Sequence, residues 1–298
     1  MTIWRSGAVG DFILTLPALR ALKTYASDCP MRLIGTPAIT SLFEAEIAVD
    51  SQSIELLPLH MPNPHAQNEA FFTACRHLLV YGQAQGPLYD NARNALRDDQ
   101  VLFWPPMPPP DGSLHITDHL LAPLKKWLDI STLDPRPSLD LTAERFQKAA
   151  IPTDIPSILA HPGSSAETKC WPIERFVKWA HRLQAEGIDV GFISGPIESE
   201  RGVSLPEDIP HIVPPDLHSL AVILQRTRFF VGNDSGPGHI AAAVGTPTLT
   251  LFGPTDPRIW APRRETSRVL IAPRGDLTSL SVQTVVEATK QQLNRPDQ

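Results

Sequence analysis

"GNDSGPGHIAAAVGTPTLTLFGPTD", Gly232–Asp256, is the stretch that decides the fold. It follows the apolar run "FFVG" (Phe229–Gly232), which reads as a buried strand. A polar turn leads into a short helix from about Pro237 to Val244. Gly245 stops the helix, and "TLTLFG" (Thr248–Gly253) returns as a second strand. The turn carries Asp234, Ser235, Gly236 and His239 in an otherwise apolar unit. A chain entering a helix leaves several backbone N–H groups without intrahelical partners, and the helix dipole adds partial positive charge there. Glycine at 236 and 238 lets the backbone approach an anion, and Ser235 adds a hydroxyl donor, so the turn suits a phosphate. The same residues also suit a plain strand–helix turn, with Asp234 or Ser235 as N-cap and His239 satisfied locally.

Outward from this unit, the C-terminal half repeats one theme. "SILAHPG" (Ser157–Gly163) and "VGFISG" (Val190–Gly195) read as strands, and "RVLIAP" (Arg268–Pro273) as a further one. Between the first two lies "WPIERFVKWAHRLQAEG". There Pro172 fits a first helical position, Gly187 the residue past the helix end, and Phe176, Trp179, Ala180 and Leu183 recur at helical spacing. "HSLAVILQRT" is a helix, and "SVQTVVEATKQQLN" closes the chain as another. Strands alternating with helices through short loops imply a parallel sheet covered on both faces.

The N-terminal half carries the same theme less clearly. "TIWR" and "MRLIG" read as strands around a helix from Asp11 to about Tyr25. "SIELLPL" (Ser53–Leu59), "HLLVYG" and "VLFWPP" are candidate later strands, and "ITDHLLAPLKKWLDI" is a helix. The stretch from about Asp134 to Pro156 reads as the connection between domains. The expected architecture is α/β: two Rossmann-like domains, 1–150 and 151–298, facing each other across a cleft. Sheets of this kind take ligands at the carboxyl ends of their strands.

Composition narrows the function. The 298 residues carry a formal net charge of −6 and no long basic run, which argues against a nucleic-acid partner. The three cysteines, Cys29, Cys75 and Cys170, form neither a metal-ligand pattern nor a disulfide framework, as expected of a reducing cytoplasm. The N-terminus does not read as a signal peptide, and no apolar run reaches the ~18 residues of a membrane span. Proline is abundant at 31 residues, about twice the usual ~5%.

Three more loops bear on chemistry. "HPGSSAETKCWP" (His161–Pro172) places Lys169 after a strand and before a helix, where its charge could meet the same phosphate. "RSGAVGDFILTLP" sets two glycines before a helix but lacks the full dinucleotide fingerprint. Its Asp11 is a candidate general base or only a helix N-cap. "SGPIESER" places Glu198 and Glu200 just past a strand, where a carboxylate can accept both hydroxyls of a ribose.

Taken in order, these motifs resemble the bacterial heptosyltransferase family, glycosyltransferase family 9, over nearly the whole chain. "GAVGDFILTLPALRALK" is similar to the family's opening Gly-Asp loop. "HPGSSAETKCWP" resembles its H-P-G-S-S…K-x-W-P loop, and "VGNDSGPGHIAAAVGTPTLTLFGPTDPRIWAP" its D-S-G-P-x-H signature with the F-G-P-T-D-P that follows. The resemblance implies the GT-B architecture, with acceptor binding in the N-terminal domain and nucleotide-sugar binding in the C-terminal one. It implies inverting, metal-independent transfer of a heptose or related sugar from an ADP-sugar, typically ADP-heptose, to a lipopolysaccharide-core or other surface-glycan acceptor, with no cofactor. Asp11 would be the base, with Lys169 and the Ser235–Gly236 turn on the diphosphate. The donor side would comprise Ser164, Ser165, Thr168, Lys169, Glu200, Asp234, Ser235, Gly236, Pro237 and His239, with Glu198 the alternative to Glu200 at the ribose.

The N-terminal half is short for the family, and about Asn63 to Asp99 matches no part of its pattern, so no acceptor-binding residue is assigned. Such an acceptor is a lipid-anchored, phosphate-bearing glycan. That implies a cytoplasmic protein able to touch the inner face of the membrane. Arg5, Arg20, Lys23, Arg76, Arg93, Arg97, Lys125 and Lys126 could meet the acceptor, or could simply be solvated charge. Two other functions suit the same architecture: a nucleotide-sugar epimerase and a non-catalytic sugar-nucleotide-binding protein.

Overall fold

The structure, a computed structural model, describes residues 1–62, 66–130, 133–195 and 205–294. The chain divides into two compact units, Met1–Pro135 and Arg136–Gln298. In the first, short apolar runs pair as β1 (Thr2–Trp4), β2 (Arg32–Gly35), β3 (Ile47–Asp50), β4 (Leu78–Tyr81) and β5 (Val101–Trp104). All pairs are parallel, in the order β3-β2-β1-β4-β5. The helices are α1 (Val9–Tyr25), α2 (Pro37–Thr40), α3 (Ala66–Thr73), α4 (Pro87–Ala95) and α5 (Ile116–Trp127). A parallel sheet must be covered on both faces, and accordingly every residue of β1 and β4 is buried.

The second unit holds β6 (Ile158–His161), β7 (Val190–Ile193), β8 (His211–Ile212), β9 (Phe229–Asn233), β10 (Thr248–Phe252) and β11 (Ser267–Ile271). They pair in parallel in the order β11-β10-β9-β6-β7-β8. Its helices are α6 (Glu144–Gln147), α7 (Ile173–Ala185), α8 (Leu217–Arg226), α9 (Gly236–Ala243), α10 (Pro257–Trp260) and α11 (Val282–Leu293). The helical spacing in α7 works as expected: Phe176, Trp179, Ala180 and Leu183 all enter the core. Trp171, Phe176, Trp179 and Phe192 pack there edge to face. Pro172 is the N-cap of α7 rather than its first residue.

Both units therefore carry a Rossmann-type order, in which the strand sequence reverses beside the first strand of each sheet. From Arg136 on, the segment read as a connection belongs to the second unit. Leu139 N–H donates to the Ala243 carbonyl at 3.0 Å, Ala150 N–H to Ser219 Oγ at 3.1 Å, and the Phe146 ring lies 5.1 Å from that of His218. The division consequently falls before Arg136, earlier than the 150/151 of the sequence reading.

One expected strand is a helix. Ile54–His60 forms a 3-10 helix, started by Ser53, whose Oγ accepts from Glu55 N–H. With three residues per turn, Leu56 and Leu59 share the inner face at 4% and 2% exposure, while Ile54 and Leu57 point out at 81% and 56%. The edge of this sheet beside β2 is instead Ile47–Asp50, a short and mostly exposed strand whose apolar residues are Ile47, Ala48 and Val49.

This assignment has a direct check. Leu56→Ala should lower stability by about 2–4 kcal/mol in urea unfolding, while Leu57→Ala should change it by less than about 0.5 kcal/mol. A strand would alternate differently, placing Ile54, Leu56 and Pro58 on one face and leaving Leu59 out, so a neutral Leu59→Ala would contradict the helix.

Candidate functional site

In the second unit the order reverses between β6 and β9, and both strands end in polar residues, His161 and Asn233. Asn233 is fully buried. Its Nδ2 donates to the Pro162 carbonyl at 2.6 Å, and its Oδ1 accepts from Trp171 N–H at 2.9 Å. One amide thus fixes both ends of the loop that carries Lys169 against the end of β9. Trp171 is anchored in turn, its Nε1 donating to the Leu280 carbonyl at 2.9 Å. Ser164 closes the loop from the other side, donating to the Asp234 carbonyl at 2.8 Å.

The residue after this staple is Asp234, with a side chain only 9% exposed. A buried carboxylate needs partners. Thr255 Oγ1, from the turn after β10, donates to Asp234 Oδ2 at 2.8 Å. Lys169 Nζ lies 3.5 Å from the same oxygen, and His239 Nε2, on the first turn of α9, lies 3.9 Å from Oδ1. Lys169 sits at the end of a 3-10 turn, Glu167–Lys169, and keeps its side chain 28% exposed. Asp234 therefore gathers residues from two loops and the first turn of α9.

Ser235 is the N-cap of α9 but makes no side-chain capping bond; its hydroxyl lies 3.4 Å from His161 Nδ1. Gly236 and Pro237 form the first helical positions, partly exposed. Lys169 Nζ thus meets the carboxylate of the residue that directly precedes the N-cap of α9. Ser165 and Thr168 are exposed on the same loop as Lys169. Glu198 and Glu200 lie outside the described residues.

In the first unit, Asp11 is the third residue of α1 and not its N-cap, which is Ala8. Its Oδ2 reaches back to accept from Ala8 N–H at 3.2 Å. Gly7, at φ +141°, comes so close that a Cβ there would stand 3.1 Å from that oxygen. Arg5, directly after β1, is buried, with its Nη2 4.0 Å from Asp11 Oδ1. It donates from Nη2 to the Asp11 carbonyl at 3.3 Å and from Nε to Thr15 Oγ1 at 3.0 Å. Its guanidinium lies 5.8 Å from the centroid of the Tyr81 ring. Burial lowers the Arg5 pKa, opposed by Asp11 and then Tyr81, and burial raises that of the Tyr81 phenol.

The structure thus brings Ser164, Lys169, Asp234, Ser235 and His239 together at one strand-end face, and seats Asp11 at the matching position of its own sheet. Sequence reasoning missed Asn233, Thr255 and His161. Their signals were an asparagine closing an apolar strand, and polar residues inside two quoted motifs. Of the basic residues considered for an acceptor, Lys23, Arg76, Arg93 and Arg97 face surface carboxylates, and Arg5 is buried. Among the described residues no three His, Cys, Asp or Glu side chains form a metal-binding group, and no helix is long and apolar enough to cross a membrane.

Two Rossmann-ordered units in one chain, the second with a polar face at its point of reversal, are the elements of the GT-B class of folds. The chain belongs to glycosyltransferase family 9 (heptosyltransferase), whose model matches residues 107–289. Lipopolysaccharide heptosyltransferase 1 of Escherichia coli (strain K12) is 32% identical over 143 residues, 46% of this chain and 44% of that protein. Lipooligosaccharide heptosyltransferase 2 of Haemophilus influenzae is 28% identical over 165 residues, 52% and 46% of the two chains. The matched regions span less than half the length of these curated relatives. Over the whole fold, the chain is similar to the E. coli heptosyltransferase WaaC solved with ADP (TM-score 0.72, 20% identity, 98% of this chain and 99% of that one).

Asn233→Ala tests the staple. It leaves the Pro162 carbonyl and the Trp171 N–H without their partner, which should cost about 2–4 kcal/mol in urea unfolding. An unchanged midpoint would show that the loop is held by its other contacts.

Proposed function

We propose that the chain is an inverting glycosyltransferase that moves a heptose, or a related sugar, from an ADP-sugar to a lipopolysaccharide-core or similar surface-glycan acceptor. The observation that carries this reading is the face at the ends of β6 and β9. There the partly exposed cation of Lys169 meets Asp234, the residue just before the N-cap of α9, in a chain of glycosyltransferase family 9. Family relatives are heptosyltransferases by name, and one was solved with ADP. The donor diphosphate lies over the Ser235–Gly236 turn, with Lys169 as counter-charge and Glu200 or Glu198 on the ribose. The acceptor belongs to the first unit, and the protein works in the cytoplasm at the inner face of the membrane.

In the reaction, Asp11 takes the proton from an acceptor hydroxyl as its oxygen attacks the anomeric carbon. The bond to the diphosphate breaks, and negative charge grows on the leaving group. Lys169 and the first N–H groups of α9 stabilise that charge without reorganising, which makes preorganised electrostatics the largest contribution. Arg5 holds the backbone carbonyl of Asp11 from the buried side and so fixes where its carboxylate points. Because the cationic groups offered to the diphosphate are a lysine and a helix start, no divalent ion is required.

Three outcomes follow. ADP at ~100 times its dissociation constant should stabilise the chain by roughly 2.7 kcal/mol in a thermal-shift titration; a response to GDP or UDP but not to ADP would overturn the donor assignment. Transfer should persist in EDTA, and a loss restored by magnesium would overturn the metal-free reading. Asp11→Asn retains an acceptor for Ala8 N–H, so it should fold and bind ADP as wild type does while losing ~10²–10⁴ in transfer rate. Near-normal transfer by that variant would remove Asp11 from the chemistry.

A further inference from the structure

We propose that Thr255 is a positioning residue of the donor site. Its hydroxyl keeps the Asp234 carboxylate satisfied when Lys169 leaves it for an incoming nucleoside diphosphate. The proposal rests on the reading of this face as the diphosphate site.

The geometry sets up a competition. Lys169 Nζ and Thr255 Oγ1 converge on one oxygen, Asp234 Oδ2, at 3.5 and 2.8 Å. An ionised carboxylate only accepts, so the threonine is the donor. At 2.8 Å the hydroxyl contact is a full hydrogen bond, whereas the lysine contact is a longer ion pair from a partly exposed side chain. Lys169 is therefore the partner that can be drawn away. A buried carboxylate left short of donors carries a large penalty, and any ligand that removes Lys169 must meet that penalty unless a second donor stays. His239 Nε2, at 3.9 Å from the other oxygen, is beyond hydrogen-bond length.

Thr255 is placed by a stiff frame. Gly253 is pressed against Leu277 and the Gly275 carbonyl, where a Cβ would come within 2.9 Å of the leucine side chain and 3.2 Å of the carbonyl. Pro254 precedes Thr255. Asp256 follows it and caps α10 by accepting from Arg258 N–H at 2.8 Å, with Pro257 at the helix start. Two prolines and a capped helix fix the backbone on either side, so the hydroxyl stays when the lysine moves.

The test is a double-mutant cycle read by ADP titration calorimetry on the full chain. Thr255→Val keeps the shape and removes the hydroxyl; it should weaken ADP binding about tenfold, the scale of a lost hydrogen bond to a charged group. Thr255→Ser should restore affinity to within about twofold. In the Lys169→Ala background, where there is no lysine to release, Thr255→Val should change affinity by less than about twofold. Thr255→Ala replaces the valine variant if the latter does not fold. Wild-type affinity in Thr255→Val, or an equal loss in both backgrounds, would overturn the proposal. A wild-type chain that binds no ADP would overturn the diphosphate reading and this proposal together. ADP binding that weakens in Lys169→Ala but not in Thr255→Val would leave that reading standing and defeat only the role of Thr255.

Discussion

The buried amide of Asn233 is the interaction on which the candidate donor face depends. Beyond the point of strand reversal, the chains leaving β6 and β9 enter helices with different neighbours: α7 packs with α11, and α9 with α8. Nothing in a parallel ladder ties together two loops that part in this way. Asn233 does so by donating to one end of the loop after β6 and accepting from the other. With the staple in place, Lys169 and Asp234 meet despite their distance in the chain, and the chain runs from Asp234 straight into the N-cap of α9.

The two units use opposite arrangements of buried charge. At the end of β9 the carboxylate is buried and its cation is the more exposed partner, 9% against 28%. At the end of β1 the cation is buried and the carboxylate is the more exposed, 4% against 33%. The exposed member of each pair is the one that a ligand can reach. One unit thereby offers a positive charge, suited to an anionic leaving group, and the other offers a carboxylate, suited to a hydroxyl proton. In each case the buried partner sets the position of the exposed one.

The sequence made much of this legible where a physical signal was local. β6, β7, β9 and β10 are short apolar runs bounded by turn residues, and α7 announces itself through Phe176, Trp179, Ala180 and Leu183. The turn into α9 could be read because Ser235, Gly236 and Pro237 have the residue types of a helix start. The edge strand Ile47–Asp50 could not be, because its apolar run is only Ile47, Ala48 and Val49, set between Glu46 and Asp50 and too short to stand out. Ser53–Leu59 misled because an apolar run fits a strand until the three-residue spacing of Leu56 and Leu59 is noticed. The position of Asp11 inside α1, and not at its cap, shows only in the structure, where its carboxylate accepts from the N–H of the N-cap Ala8. The partnership of Asp234 with Thr255 is tertiary, and no spacing encodes it.

The central claim is that the face at the ends of β6 and β9 receives a nucleoside diphosphate. A crystal structure of the chain with ADP tests it most directly. The account predicts phosphate oxygens within hydrogen-bond reach of the Ser235–Gly236 turn and of Lys169 Nζ, with Asp234 still held by Thr255. Phosphates bound away from that turn, with Lys169 still on Asp234, would contradict it.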